Sequence, residues 1–203
     1  MYQLPGARFC EVDLHVHTPA SRCFQEQGVT PQMIVDQAIT AGMHAIAITD
    51  HNSAEWVDRI KEAAAGTALT VFPGVEITVQ PGVHVLAIFP ENCTGAHVTD
   101  LLSELGLRAG QRGNSDALVT KFGIQEVVAI IRHGHGALPI LAHIDAPKGA
   151  WYELRESGQT LIQLWEAAEF CAVEITCRRP PAEIGEPPFL YRPACYWASD
   201  NPH

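Results

Sequence analysis

Asp13-Leu14-His15-Val16-His17-Thr18 reads as the end of a β-strand whose chemistry changes where it stops. Alternation along Val12–Val16 sends Asp13, His15 and His17 to one side and Leu14 and Val16 to the other. Two imidazoles on one strand face can chelate one cation, although an exposed polar face is the ordinary explanation of H-x-H alone. The same abrupt change recurs along the chain. It is found in Ile46-Ala47-Ile48-Thr49-Asp50-His51-Asn52, in Pro73-Gly74-Val75-Glu76-Ile77-Thr78, in Leu141-Ala142-His143-Ile144-Asp145 and in Ala198-Ser199-Asp200-Asn201-Pro202-His203. His84 adds one more polar group, at the start of Val83–Phe89. Asp50 could orient or activate a reacting group, or cap a loop, and His51 could ligate. A carboxylate such as Glu76 inside a β-branched run is costly unless paired or metal-bound. A single histidine is more often a core or surface residue than a ligand. Strand ends that repeatedly finish in His, Asp or Glu instead point to metal. Imidazoles mixed with carboxylates suit Zn, Mn or Fe better than Mg or Ca, and a shared carboxylate is the usual bridge between two cations.

Working outward, short Val/Ile-rich runs alternate with segments of helical period, the pattern of βα units around a parallel sheet. The expected strands are Cys10–Val16, His44–Thr49, Thr70–Val79, Val83–Phe89, Ala137–Ala142, Ala172–Thr176 and Cys195–Ser199. The expected helices are Pro31–Ala41 with Thr30 as N-cap, Ala54–Ala65 capped by Ser53, Val98–Leu107, Ile124–His133 and Thr160–Phe170. Gly42, Gly66 and Gly134 are read as closing three of them. Arg108–Lys121 and the proline-rich Arg178–Pro193 read as loops. Most candidate ligands fall at or just past the C-terminal ends of strands, where parallel α/β barrels gather their reactive groups.

The chain has 203 residues, of which 47% are hydrophobic and 18% charged, and no run of 18 apolar residues. A soluble single domain without a membrane span is expected. The first residues lack a basic stretch followed by an apolar one, so the cytoplasm is the expected location. Six cysteines without a CxxC pair read as reduced thiols. A formal charge of -10 argues against holding nucleic acid by diffuse basic surface. Ten histidines in so acidic a chain point instead to metal or proton chemistry.

The succession D-L-H-V-H-T, T-D-H-N, P-G-V-E-I-T, A-H-I-D and S-D-x-x-H, spread over Val12 to His203, resembles the PHP (polymerase and histidinol phosphatase) family of metal-dependent phosphoesterases. The resemblance implies an α/β fold, a distorted (β/α)7 TIM-like barrel, with up to three divalent ions (Zn, Mn or Fe) at its C-terminal face. It implies His15, His17, Glu76 and Asp200 around one metal, Glu76, His84 and His143 around a second, and His51 with His203 around a third. The implied activity is hydrolysis of a phosphate ester by a metal-activated hydroxide; in that mechanism Asp50 or the neighbour of a metal-bound histidine is expected to help manage protons. The substrate would be a nucleotide, a nucleic-acid end or a small phosphorylated metabolite.

Two departures from the family pattern bear on the third metal. Where many members carry Asp or His after the first motif, this chain has Arg22 and Cys23. Cys23 could be a thiolate ligand or a small loop thiol, and Arg22, pointing inward, would be a phosphate clamp. The last motif is one residue longer than the common S-D-x-H. His44, His97, His133 and His135 are read as structural. Lys148, Arg178 and Arg179 are the basic groups best placed to meet a phosphate, and Arg108, Arg112 and Lys121 could touch a nucleic-acid backbone. A weaker likeness, carried by A-H-I-D-A-P-K-G, is to PHP domains fused to SMC- or RecF-like ATPases. It brings a rival reading, a non-catalytic metal-stabilised scaffold or nucleic-acid-sensing module with an ATPase domain or partner chain. Ending just after its seventh strand, the chain (1–203) reads as a single domain lacking its last helix, a fragment of a longer protein whose last strand is expected to be poorly covered or completed by another chain.

Overall fold

The computed structural model describes residues 10–157, 164, 168–176, 194–196 and 198–199. One sheet organises them. Its strands are β1 (Val12–Val16), β2 (Ala45–Ile48), β3 (Thr70–Val79), β4 (Val83–Ile88), β5 (Leu118–Val119), β6 (Leu138–Leu141), β7 (Ala172–Glu174) and β8 (Ala194–Tyr196). They run in the order β1-β2-β3-β4-β6-β7-β8, with β5 paired to β3. The sheet curls into a half-barrel. Past β8 the chain returns beside β1, where the Ser199 N–H donates to the Asp13 carboxylate at 3.2 Å.

The expectation of an all-parallel sheet needs correcting. β4 is antiparallel to both β3 and β6, while the other pairs are parallel. Only Gln80, Pro81 and Gly82 separate β3 from β4, far too few for the helical crossover that a parallel neighbour requires. A tight turn, closed by Gly82 N–H to Val79 O at 2.8 Å, joins them instead. The reversal explains why His84 begins its strand whereas His15, His17, His51 and His143 lie at or just past the ends of theirs, since the start of an antiparallel strand lies at the same edge as the ends of its neighbours.

Two apolar clusters lie on opposite faces of the sheet. The inner one takes Ala47, Leu86, Ile88, Ile140 and Ala142 with Leu14, Phe72, Ala172 and Tyr196, so that nearly every long strand contributes alternate residues to the concave side. The outer one joins Val16, Ile46, Ile48, Val71, Val75, Ile77 and Val85 to the helices. β1 departs from simple alternation. Leu14 packs inward and Val16 outward, because its register with β2 shifts between Asp13 and Val16.

The helices are α1 (Pro31–Thr40), α2 (Val57–Ala64), α3 (Gly95–Glu104), α4 (Ile124–Ala129) and α5 (Ala150–Ser157). α1 starts as expected, with Thr30 Oγ1 accepting from Met33 N–H at 3.3 Å and Pro31 in the first turn. α2 starts later than Ser53, whose hydroxyl accepts from Glu55 N–H in a preceding turn. α3 starts earlier than expected because Thr94 and His97 form a reciprocal cap. α4 runs into a π turn over Ile130–Gly134, so Gly134 lies within the turn, and Gly136 takes the positive φ. Two elements differ from the sequence expectation: β5 lies inside the expected loop Arg108–Lys121, and α5 has no expected counterpart. The expected helix Thr160–Phe170 falls largely outside the described residues, and the loop Arg178–Pro193 entirely so. Among the described residues no helix is long and apolar enough to cross a membrane.

Candidate metal centre

Strand geometry brings five histidines to one carboxylate. β3 is the longest strand in the sheet and outruns β2, so that Glu76 lies beyond the end of β2 and pairs with His51 through an isolated bridge. Backbone bonds fix this crossing: Glu76 N–H to Asp50 O at 3.2 Å and Asn52 N–H to Glu76 O at 2.9 Å. His84 faces Thr78 across the hairpin. His15 and His17 arrive from the end of β1, and His143 from the turn after β6. His15, His17, His51, Glu76, His84 and His143 are all buried.

Around Glu76, Oε2 stands 3.3 Å from His15 Nε2, 3.2 Å from His17 Nε2 and 2.9 Å from His51 Nδ1. Oε1 stands 2.5 Å from His84 Nδ1 and 3.2 Å from His143 Nε2. His143 Nε2 is bonded to Glu76 Oε1, whereas Glu76 Oε2 and His51 Nδ1, 2.9 Å apart, have no partner in hydrogen-bonding geometry, nor does His84 Nε2. Buried ligand atoms left without a hydrogen bond at contact distance are placed to meet a ligand.

The proton inventory says what is missing. His15 Nδ1 lies 2.7 Å from Glu174 Oε2, an acceptor, so that nitrogen carries the hydrogen. Ser21 Oγ donates to Asp50 Oδ1 at 2.7 Å and accepts from His51 N–H at 3.0 Å. It therefore meets His17 Nδ1, at 3.0 Å, as an acceptor, and His17 also carries its hydrogen on Nδ1. In their neutral forms both rings then turn bare Nε2 lone pairs towards each other, 3.2 Å apart, and towards Glu76 Oε2. Two imidazole nitrogens and a carboxylate oxygen converging this closely make a ready set of ligands for a cation. The donor set, imidazole nitrogens around a carboxylate, fits a borderline divalent ion. Three ligand groups emerge: His15, His17 and Glu76; His51, Glu76 and His84; and His17, Cys23 and His51.

Without a metal a proton takes that place. Burial disfavours a charged His15, but Glu76 and then Glu174 outweigh it and hold the pKa well above 6.5. For Glu76 burial is likewise the largest influence, yet His84, His15 and His51 overcome it and keep the carboxyl well below its usual range. His51 is raised, Glu76 and a Cys23 hydrogen bond prevailing over burial, whereas His84 is lowered because burial wins there.

The other expected site residues are placed as follows. Asp50 is buried behind the cluster, where its carboxylate accepts from Thr18 N–H (2.7 Å), Thr18 Oγ1 (2.6 Å) and Ser21 Oγ. Burial raises its pKa, against those hydrogen bonds. It locks the turn after β1 and is not among the residues lining the cavity over the centre. That cavity, about 430 Å³, is lined by His17, Arg22, Cys23, His51, Glu76 and His84, and by Ser115, His143 and Lys148. Arg22 donates to Gly110 O at 3.1 Å. Asp200, His203, Arg178 and Arg179 lie outside the described residues. His44, His97, His133 and His135 stand away from the centre, as expected.

Sequence reasoning overlooked Glu174, which accepts from both His15 Nδ1 and His143 N–H (3.0 Å). The signal was present: Val173-Glu174-Ile175-Thr176 repeats Val75-Glu76-Ile77-Thr78 letter for letter. The cost of burying a carboxylate in an apolar strand applies to both. Thr18 and Ser21 were missed for want of any comparable signal. Ala20 and Gly113 also touch: the Gly113 N–H donates to His51 O at 2.7 Å, its carbonyl accepts from Arg22 N–H, and a Cβ there would lie 2.3 Å from Ala20 O. Only glycine lets the loop dock this closely.

Comparison with known proteins places the arrangement in a family. The chain is 33% identical over 105 residues to the 5'-3' exoribonuclease Rnm of Salmonella typhimurium, covering 50% of this chain and 34% of that one. It is 26% identical over 193 residues to the error-prone DNA polymerase of Mycobacterium tuberculosis, covering 66% of this chain and 17% of the polymerase. It thus spans about a third or less of the length of these relatives. A structure from Bifidobacterium adolescentis, described as a metal-dependent phosphoesterase, superposes with a TM-score of 0.56 at 20% identity, over 86% of this chain and 80% of the other. Endonuclease Q, in complex with duplex DNA bearing an abasic lesion, gives 0.59 at 17% identity, over 82% and 42%. These two likenesses bear on the fold. The profile of the PHP domain matches residues 13–176, from the first strand-end motif through Glu174, and the chain belongs to the PHP domain family.

Proposed function

We propose that the protein is a metal-dependent phosphoesterase. The observation that carries this reading is the convergence of His15 Nε2, His17 Nε2 and His51 Nδ1 on the buried Glu76 Oε2, all within 3.3 Å, an arrangement that fits a cation. The family membership and the names of the relatives, an exoribonuclease and an endonuclease among them, support ester hydrolysis and a nucleic-acid strand or nucleotide as substrate.

When bound, two or three divalent ions, Zn, Mn or Fe, supply Lewis acidity to the phosphoryl oxygens and make a coordinated water acidic. His15, His17, Glu76 and Asp200 would hold one, His84 and His143 with Glu76 a second, and His51 with Cys23 and His203 a third. The chain's own groups prepare the site. Glu174 fixes the His15 tautomer, and Asp50, acting through Ser21, fixes that of His17, so both rings present Nε2 without reorganising. Asp50 is thus a positioning residue in this reading. Arg22, on the cavity wall, is the phosphate clamp and orients the scissile group.

Purified protein supplied with Mn²⁺ is expected to hydrolyse an aryl phosphate or a phosphodiester, and His15→Ala or Asp200→Ala to abolish turnover. Elemental analysis of the same sample gives the metal count. Full metal occupancy with no turnover on mono- or diesters would overturn the reading in favour of a metal-stabilised scaffold.

A further inference from the structure

Among the described residues, three that are not glycine hold a positive φ: Asn52 at 50°, His143 at 25° and Lys148 at 63°. Such backbone costs on the order of 1–2 kcal/mol for a residue with a Cβ and tends to collect at functional sites. Asn52 follows His51, and His143 is one of the five clustered imidazoles. Lys148 is the third, and nothing in the cluster accounts for it.

Its conformation is held from both sides. The Lys148 N–H donates to Glu153 Oε1 at 3.0 Å, and its carbonyl accepts from His84 N–H at 2.9 Å, tying it to the strand that carries a clustered imidazole. The next residue, Gly149, is pressed so closely on His143 O that a Cβ would lie 2.2 Å from it, so this turn cannot relax by shifting. The fixed backbone projects the side chain into the wall of the cavity over the centre. There the ammonium donates to Ser115 O (3.3 Å), Ser115 Oγ (3.2 Å) and Asp116 Oδ1 (2.8 Å). Asp116 is 81% exposed, and an ion pair so open to water is weak. The stretch from Gly110 to Asp116 also steers Arg22, through Gly110 O and Gly113 O. One loop therefore sets both cations of the cavity wall.

We propose that Lys148 binds the anionic phosphate group of the substrate and that Asp116 is its resident counter-ion, displaced when the phosphate enters. The identity of the anion rests on the phosphoesterase reading. An ammonium offers three donors as a compact point charge, suited to a phosphate oxygen that replaces a carboxylate oxygen. Asp116, largely exposed to water, gives up its partner at little cost.

Inorganic phosphate is the probe, titrated calorimetrically into the full chain with Mn²⁺. Lys148→Asn keeps a residue that tolerates the left-handed backbone and is expected to weaken binding about tenfold, the loss of one charge-assisted contact. Lys148→Arg is expected to recover most of it. Asp116→Asn should tighten binding severalfold, and that gain should vanish in the Lys148→Asn/Asp116→Asn double variant. With an aryl phosphate, the Lys148→Asn loss should fall more on KM than on kcat. Wild-type protein that takes up no phosphate, a Lys148→Asn affinity within about twofold of wild type, or an Asp116→Asn gain that persists in the double variant would each overturn the proposal. Lys148-dependent phosphate binding without hydrolysis of any ester would sink the phosphoesterase reading and leave this one standing.

Discussion

The same side chain does opposite work in two regions of this molecule. At the polar end of the sheet, His15, His17, His51, His84 and His143 are 6% exposed or less and crowd a single carboxylate. On the outside, His44 accepts from Glu11 N–H, His97 caps a helix, His133 meets Glu169 and His135 meets Glu104. The outer histidines each have an ordinary partner. The inner ones bring their ring nitrogens together on the two oxygens of one carboxylate. Burial alone does not mark a site; several buried ligand atoms converging on one carboxylate do.

The comparison breaks most visibly at Glu76. Glu76→Ala is expected to abolish activity and to lower metal affinity by at least about 100-fold, since it removes the carboxylate shared by all five rings. Metal retained at full occupancy in this variant, by elemental analysis, would mean that Glu76 is not the hub. Glu174→Gln is a milder probe, because the amide can still accept from His15 but no longer with a full charge. A loss of about 10-fold in metal affinity is expected, with the fold unchanged by circular dichroism.

The pH dependence of metal-free protein sharpens the contrast. The raised His15 pKa contributes stability that is fully present below about 6.5 and is lost as pH rises through the folded value. The lowered Glu76 pKa contributes stability that is present above about 4.5 and lost as pH falls through its folded value. From these two groups, chelated protein should melt highest between those limits. Metal binding must expel the His15 proton, so affinity should rise with pH through neutrality, which a calorimetric titration in several buffers checks. The outer set should respond least. His97→Ala removes half of a helix cap and should cost about 0.5–1 kcal/mol, a fall in Tm of about 2–4 °C at most. His133→Ala, on an exposed ion pair, should leave Tm unchanged within about a degree. A large effect of His133→Ala on metal content would erase the distinction.

Much of the centre was legible in the sequence because a strand that stops in His, Asp or Glu leaves a local mark. His15, His17, His51 and His143 carry that mark, while Glu76 stands out as a carboxylate inside a β-branched run and His84 as a polar group at a strand start. Glu174 carries the same mark as Glu76, a carboxylate inside an apolar strand, but no histidine stands beside it in the sequence. Asp50 shows the limit: its position in T-D-H-N suggested chemistry, and the structure turns its carboxylate onto Thr18 and Ser21. The orientation of a side chain at a strand end depends on the turn that follows, and that turn is set by contacts from distant segments. The reversed β4 was misread because Val83–Phe89 is apolar on both faces, as a buried strand is in either direction.

Sequence by itself determined the residue types of the centre, their spacing along the chain and the alternation of strands with helices, because these depend on local period and composition. Tertiary structure decided the rest. It set the overrun of β3 that brings Glu76 to five rings. It set the hydrogen bonds of Glu174 and Ser21 that turn two Nε2 atoms towards one carboxylate. It gave Lys148 the left-handed backbone that aims it into the cavity. Each of these joins residues far apart in the chain, and a residue's protonation and direction are properties of its neighbours rather than of its own place in the sequence.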